Sequence, residues 1–504
     1  MSFSLETIVA WAKRRWFAYP GSDIYGWLAN AWDLWPYGTE LKRNIESNRW
    51  KYFVQDRDDI IWLDSQILMN SKVWEASGHI SWFSDPLIDC KKCHSRYRAD
   101  KLIDEYINKE LNIRTNKKNP NINNRTDEFI ETYDEYRKIL SEKYWIKDLV
   151  VIWPNDVAGS RTFEQQKKFI DWEKIKCSKC WACDWTEPKQ FNLMFKTEQW
   201  IIEGQWTEIY LRPETAQWIF VNFKNILDTT RSRIPFGIAQ TWKAFRNEIT
   251  PGNFMFRVRE FYQMEIEYFV ENDEKKWLES FENWKSESKK RWTQEIWIDE
   301  KKLRFRDHEK EALAFYSKAT CDVEYEFPWG FDELEWIAYR TDYDLKQHMK
   351  FSWKDLQYSD PYTGKRYIPH VIEPSRWLTR AILATMIDAY DEEEYKDGNG
   401  EKQMRVVARF NKNIAPIKFA VIPLVKKDEK MVAMAQDIFK KLSQTYMCEF
   451  DDSGNIGKCY RRQDEIWTPR CITIDNKSLE DWTVTIRDRD SMKQKRIKAD
   501  KIKL

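Results

Sequence analysis

The chain has 504 residues, with 83 lysines and arginines against 82 aspartates and glutamates. That length fits two or three domains, and the near-zero net charge excludes a basic tail or an acidic solubilising segment, confining any nucleic-acid partner to a local basic face. No apolar run reaches the roughly eighteen residues of a membrane span, and nine cysteines without an amino-terminal signal segment predict a cytoplasmic protein with reduced thiols.

In chain order, residues 1–95 mix helix and strand, with "YGTELKRNIESNRWKYFVQ" reading as an amphipathic helix. Residues 96–175 are charged, poor in glycine and predicted to be a helical insertion, with "NKKNPNINNRTDE" as an insertion loop. Strand patterns return over 176–271. There "YQMEIEYFV" alternates so that Gln263, Glu265 and Glu267 share one face, a face too polar for plain core. Residues 272–315 read as a second charged helical insertion, and 316–411 return to mixed structure. At "NIAPIKFAVIPLV" a buried-strand signal precedes the amphipathic "MVAMAQDIFKKLSQTY", so 412–504 is expected to be a separate α/β domain. No heptads or internal repeats occur.

One ratio is abnormal: 28 tryptophans stand against 14 glycines, where about 7% glycine, roughly 35 residues, is usual. Tryptophan also occupies turn contexts, as in "DLWPYG", "IYGWLAN", "DEIWTP" and "LEDWTV". Its Cβ and ring cannot supply the positive φ such turns commonly need, nor let a ligand approach the backbone. The reading that follows is that UGA codons specify glycine in the gene and are written here as tryptophan; the alternative is a genuinely tryptophan-rich protein.

Two constellations carry chemistry. Cys90, Cys93, Cys177 and Cys180 form two C-x2-C pairs suited to tetrahedral thiolate ligation of structural zinc, the alternative being two unrelated pairs. The arginines and acids of "LRPETAQ", "FRNEITPGNFMFRVREFYQMEIE" and "EPSRWLTR" offer forked donors for phosphate oxygens at Arg246, Arg257, Arg259 and Arg380. Phe256 or Phe261 could stack on a base. No P-loop is present, and in isolation arginines near acids on adjacent strands are more often surface ion pairs.

The same residues carry a resemblance. "FRNE" with the loop to "FRVREF" resembles motif 2 of class II aminoacyl-tRNA synthetases, "WDLWPYG" resembles motif 1 with Pro36 as its proline, and "EPSRWLTR" resembles motif 3, which expects glycine at Trp377. More narrowly, "SGHISWFSDPLIDC", "LRPETAQWIFVNFKN", "FGIAQTWKAFRNEITPGNF", "ELEWIAYRTDYDL" and "YRRQDEIWTP" are similar to the dimeric glycyl-tRNA synthetase family over nearly the whole chain. The implied fold is α/β (α+β): an antiparallel-sheet catalytic core with helical insertions and a C-terminal α/β anticodon-binding domain. Trp16, Trp27, Trp35, Trp62, Trp82, Trp218, Trp242, Trp336, Trp353, Trp377, Trp467 and Trp482 stand where the family carries glycine, whereas Trp32, Trp50 and Trp74 look like true tryptophans.

The resemblance implies activation of glycine by ATP to glycyl-adenylate and its transfer to tRNA(Gly), with a UGA-reading tRNA as a further candidate substrate. By position, Arg246 meets the α-phosphate, Glu248 the adenine amino group, and Phe261 and Arg380 sandwich the base. Arg257 and a carboxylate of Glu333 or Glu335 face the phosphates and Mg2+. Asn247, Phe256, Val258, Arg259, Glu260, Leu334, Leu378 and Thr379 complete the implied ATP site, with Trp377 at its closest backbone approach. Glu214, Glu265 and Glu373 are the implied ammonium ligands, with Ser375 beside them and Arg98 for the carboxylate. Phe261, Tyr262, Gln263, Met264 and Pro374 fill out the glycine site. Arg461 and Arg462 are offered to single-stranded bases. Motif 1 implies a homodimer. A catalytically inactive synthetase-like module that binds RNA or regulates another protein would have lost part of the set Arg246, Glu248, Arg380, Glu214 and Glu265, all present here. A class II synthetase for another small amino acid would lack the three glutamates.

Overall fold

The computed structural model describes residues 3–103, 105–107, 109, 163–202, 205–310, 313, 314, 316–396 and 400–503. Strands β1 (Ala18–Pro20) and β2 (Trp32–Leu34) form a hairpin ahead of the helix Pro36–Trp50, which opens with proline at its first position and runs on through a π turn to Gln55. Strand β3 (Ile60–Trp62) follows. Next, β4 (Ser84–Asp89) pairs with both β5 (Arg96–Arg98) and β6 (Lys189–Asn192), while β7 (Lys196–Ile202) pairs with β8 (Gln205–Tyr210). The "NKKNPNINNRTDE" loop and most of the insertion expected over 96–175 lie outside the described residues.

The central sheet is built from β3, β9 (Phe236–Phe245), β10 (Glu260–Val270), β11 (Leu303–Asp307), β12 (Ala319–Phe327), β13 (Gly330–Thr341) and β16 (His370–Trp377). Their order is β11-β12-β13-β16-β10-β9-β3, antiparallel throughout except that β3 runs parallel to β9. The alternation of β10 puts Met264 and Ile266 into the main core, and Gln263, Glu265 and Glu267, all fully buried, on the other face. Helix Leu378–Ala389 buries ten of its twelve residues, several in that core. Helix Glu274–Lys290, capped by the Asp273 side chain, begins the region expected to be a wholly helical insertion over 272–315. That expectation is corrected by β11, an edge strand whose Leu303 and Phe305 alternate with Arg304 and Arg306.

A short pair, β14 (Tyr358–Ser359) and β15 (Arg366–Tyr367), and a hairpin of β17 (Tyr390–Lys396) and β18 (Lys402–Ala408) flank β16 and its helix. The tail forms its own sheet from β19 (Phe419–Pro423), β20 (Cys448–Phe450), β21 (Arg470–Ile474), β22 (Thr483–Asp488) and β23 (Gln494–Lys498), ordered β20-β19-β21-β22-β23. Helix Glu429–Ser443, capped by Asp428, lays Met431, Met434, Ala435 and Ile438 on it at helical spacing, giving this region a core of its own. Arg462 is held by Asp451 at 2.6 Å, and Arg461 lies over the Tyr395 ring at 3.7 Å, so both arginines offered to RNA are engaged within the chain.

Backbone geometry marks five of the twelve suspect tryptophans; Trp35, Trp62, Trp82, Trp218, Trp242, Trp336 and Trp377 have no positive φ. Trp16, Trp27, Trp353, Trp467 and Trp482 have φ between 56° and 78°, and Trp181 and Trp297, which sequence context had not singled out, have φ of 62° and 71°. Trp297, Trp353, Trp467 and Trp482 each follow a helical segment directly, the place where glycine in the left-handed conformation closes the last turn. At roughly 1–2 kcal/mol per residue, seven such placements would cost about 7–14 kcal/mol, as much as a whole domain's stability. Trp467 is fully buried with its ring overlapping that of Phe410, closer than two aromatic rings can pack. By contrast Trp74, Trp284 and Trp292 are buried without a positive φ. Trp353, 91% exposed, isolates the backbone effect. Trp353→Gly is expected to raise unfolding free energy in urea by about 1 kcal/mol while Trp353→Ala gains little; equal effects of the two would contradict a glycine-specific site.

Candidate active site

The polar face of the central sheet opens into a cavity of about 460 Å³. Of the residues expected in the site, Arg98, Glu214, Arg246, Glu248, Arg257, Glu333, Glu373, Trp377 and Arg380 line it. They arrive from distant segments: β13 supplies Glu333, its neighbour β16 supplies Glu373 and Trp377, and the loop between β9 and β10 supplies Arg246, Glu248 and Arg257.

At one end Arg246 donates from Nε to the Pro213 carbonyl at 3.0 Å. Arg380 donates to the Phe256 carbonyl at 3.2 Å and to both the carbonyl and the carboxylate of Glu333, at 2.9 and 2.8 Å, with its guanidinium 4.2 Å from the Phe256 ring. Between Phe261 and Arg380 lies a flat slot, and the indole of Trp377 fills it. The indole stacks on Phe261 with centroids 4.1 Å apart and 16° between planes, and Arg380 covers it at 4.2 Å. Arg246 stands 4.8 Å away. The Trp377 indole N–H has no acceptor, nor do those of Trp74, Trp218 and Trp467. Glu248, nearly buried, leaves Oε2 unpartnered. The slot thus has two flat faces, Phe261 and Arg380, and the chain's own indole occupies it.

At the other end the charges interlock. Arg98 is gripped by Asp85 at 2.7 Å and Asp100 at 2.5 Å. Burial pushes the Asp85 carboxyl up to about 6 despite the Arg98 charge. Glu373 pairs with Arg340 at 2.9 Å; burial still raises its carboxyl above the usual range. Burial opposes ionisation of Glu214, but His79 at 3.3 Å, Arg340 and Gln217 outweigh it and hold that carboxyl well below the usual range. Glu265 stands just behind the cavity wall, bonded to Thr215, Gln263 and, at 3.3 Å, Ser375. Burial, with the Glu373 and Glu214 charges, pushes it up to about 8. The three glutamates are thus unequal: one anion, one partner of an arginine, and one neutral acid near pH 7.

Other expected site residues lie elsewhere. Glu335 is corrected out of the phosphate position: it faces the opposite side of the sheet, bound to Arg376, Ser288 and Trp292. The cause is a register shift between Val323 and Glu324 that leaves Leu334 unpaired, so Glu333 and Trp336 both reach the cavity and Glu335 does not. Leu334, Met264 and Leu378 belong to the main core, as does Phe256 beneath Arg380. Asn247, Val258, Arg259, Glu260, Tyr262 and Thr379 line a second cavity with Trp32 and Lys42. Pro374 is buried within β16. Conversely His79, Asp85, Tyr316, Asp322, Arg340 and Asp344 line the cavity, although no role had been given them from sequence. The Arg340–Asp344 pair, at the i, i+4 spacing inside "YRTDYD", was the available signal.

Beyond the cavity the sulfurs of Cys90, Cys93, Cys177 and Cys180 all lie within 4.8 Å of one another. Cys90–Cys180 and Cys93–Cys177 are 3.5 and 3.6 Å apart. A zinc ion about 2.3 Å from four tetrahedral sulfurs sets them about 3.8 Å apart, so the donor set fits. After each pair the next residue, His94 or Trp181, is left-handed and its N–H returns to the first cysteine's carbonyl at 2.8 Å, forming two matching knuckles.

Comparison with solved structures defines the class first. Two structures of prolyl-tRNA synthetase from Cryptosporidium parvum, one with L-proline and AMP and one with halofuginone and AMPPNP, superpose with TM-scores of 0.54 and 0.57 at 12% identity. They cover 98% of this chain and 75% and 74% of theirs. The fold is that of a class II aminoacyl-tRNA synthetase. Residues 418–503 match the family described as "Anticodon binding domain", and residues 85–193 match "Glycyl-tRNA synthetase insertion domain 1". Glycine–tRNA ligases of Alkaliphilus oremlandii and Clostridium acetobutylicum are 49% and 48% identical, covering 99% of this chain and 97% of each relative. That of Acetivibrio thermocellus is 49% identical with the same coverage. The chain belongs to the glycyl-tRNA synthetase family, and its activity is the ligation of glycine to tRNA.

Two outcomes follow from the geometry. Trp377→Gly is expected to raise ATP affinity at least tenfold, about 1.4 kcal/mol, in equilibrium binding; unchanged affinity would show that the slot does not receive the base. An ammonium ligand favours ionised Glu265, whose raised pKa of about 8 makes binding expel a proton. The KM for glycine is therefore expected to fall as pH rises from 6.5 towards 8, and Glu265→Gln to flatten that slope; a slope that survives the substitution would contradict the assignment.

Proposed function

We propose that the cavity forms glycyl-adenylate, with the base between Phe261 and Arg380, its amino edge at Glu248, the α-phosphate against Arg246 and the distal phosphates towards Arg257. The observation that carries this reading is the slot itself: a flat aromatic ring already lies between Phe261 and Arg380, held by the two faces assigned to adenine. Arg246 acts where charge develops on the pentavalent phosphorus, supplying electrostatic positioning without a protein nucleophile. Glu333, with Asp322 also lining the cavity, would hold Mg2+, which would supply neutralisation of the phosphate charge. The glycine ammonium meets Glu214 and Glu373, with Glu265 behind them, and its carboxylate meets Arg98, which must loosen its hold on Asp85 to receive it.

Cys90, Cys93, Cys177 and Cys180 would hold a structural Zn2+ at the tip of the β4–β5 hairpin whose base carries Asp85 and Arg98. The partner nucleic acid is tRNA(Gly), including the UGA-reading tRNA that the recoding requires, and the active form is a cytoplasmic homodimer through motif 1. Exposed Ile24, Tyr25 and Leu28 support such a contact, and among the described residues no helix is long and apolar enough to cross a membrane. The twelve tryptophans named from sequence, joined by Trp181 and Trp297, are glycines in the cell; the left-handed backbones, the overlap at Trp467 and the filled base slot support this reading.

Amino-acid-dependent ATP–pyrophosphate exchange on protein with those positions restored to glycine is the test. Exchange driven by glycine and not by alanine or serine is expected. No exchange from folded, tRNA-binding protein would favour the inactive-module reading. Metal analysis of the same preparation is expected to return one zinc per chain, lost on substituting Cys177 by serine.

A further inference from the structure

Behind the amino-acid end of the cavity a continuous line of buried polar contacts joins Glu373 to Glu214. Arg340 donates from Nη1 to Glu373 at 2.9 Å, and from Nε and Nη2 to the two oxygens of Asp344 at 2.9 and 3.0 Å. Asp344 Oδ1 also accepts from Gln217 Nε2 at 2.9 Å, and the same amide nitrogen donates to Glu214 Oε1 at 2.9 Å. His348 Nε2, 2.8 Å from Gln217 Oε1, fixes which way the amide points. The other oxygen of Glu214 faces His79, whose Nδ1 lies 2.8 Å from the Ser77 hydroxyl. Arg340, Asp344, Gln217 and Glu373 are all buried, and Tyr316 and Phe220 cover the guanidinium at 4.3 and 5.3 Å.

We propose that Arg340 and Gln217 are positioning residues which fix the separation of Glu214 and Glu373 and thereby set the selectivity for glycine. The inference rests on the reading that these two glutamates meet the substrate ammonium. A pocket that discriminates by one methyl group has only about a 10- to 200-fold preference available to it, and loses that preference if its walls recede. Two carboxylates on long side chains recede easily unless each is held by its second oxygen. Here Glu373 is held by a planar fork that also grips Asp344, a geometry a lysine ammonium cannot reproduce, and Glu214 is held from both sides. The tie between them is a single amide, that of Gln217, in contact with both acid branches.

The test compares Gln217→Met, Arg340→Lys and Glu373→Gln in the glycine-restored full chain, measuring KM and kcat for glycine, alanine and ATP in pyrophosphate exchange. Gln217→Met removes all three amide contacts, to Glu214, Asp344 and His348, at similar volume, while Glu214 keeps His79 and Asp344 keeps Arg340. It is expected to raise the KM for glycine about tenfold and the alanine-to-glycine ratio of kcat/KM about tenfold, with the KM for ATP and kcat for glycine within about twofold. Arg340→Lys is expected to move both quantities further in the same direction; if it does not fold, Gln217→Met carries the test. If Glu373→Gln shifts glycine KM and Gln217→Met shifts neither quantity, the positioning role is overturned while the ammonium assignment stands. If Glu373→Gln itself leaves glycine KM unchanged, the ammonium assignment falls and the inference with it.

Discussion

The structure depends on one constraint: the inward face of β10 must carry Gln263, Glu265 and Glu267 out of water. Buried carboxylates are costly unless paired or neutralised, and the fold answers in both ways. Arg340 from β13 pairs with Glu373 on the neighbouring strand β16, while burial and like charge drive Glu265 and Glu267 towards the protonated form. Across the sheet the opposite problem is met in the same manner, with Arg376 and Glu335 paired beneath the helices. Such a sheet is poor core on its polar side. Its worth lies in holding fixed charges around a small cavity, where they interact far more strongly than in water.

A second constraint is spatial. A site for glycine and ATP needs backbone close to its ligands, and helix ends need left-handed residues, which together call for glycine. The chain as written answers with indoles. Where the indole is outside the fold, as at Trp353, only backbone strain records it. Where it is inside, it collides with a neighbour, as at Trp467, or fills the space between two side chains, as at Trp377. Strain, collision and occupancy are independent signs; they fall on six positions that the turn contexts and the family pattern had marked, and strain adds Trp181 and Trp297.

Much of this was legible in the sequence because it depends on periodicity and short-range punctuation. The alternation in "YQMEIEYFV", the helical stripe of the tail and the paired cysteines read directly. The misplacement of Glu335 came from a register shift, which alternation cannot foresee, and β11 was hidden because its arginines made a strand resemble a charged helix. Trp181 and Trp297 escaped because "CWAC" and "EIWID" lack the turn residues that betrayed the others. Arg340, Gln217 and His79 were invisible as a set since their connection runs across three segments, although each lies in a stretch that carries the family resemblance.

The most direct test is tandem mass spectrometry of the peptide spanning Glu373–Arg380 in the protein isolated from the cells that make it. Glycine at position 377 is the predicted result and would leave the slot between Phe261 and Arg380 open to the base. Tryptophan at 377 in protein that charges tRNA with glycine would contradict both the recoding and the assignment of the slot.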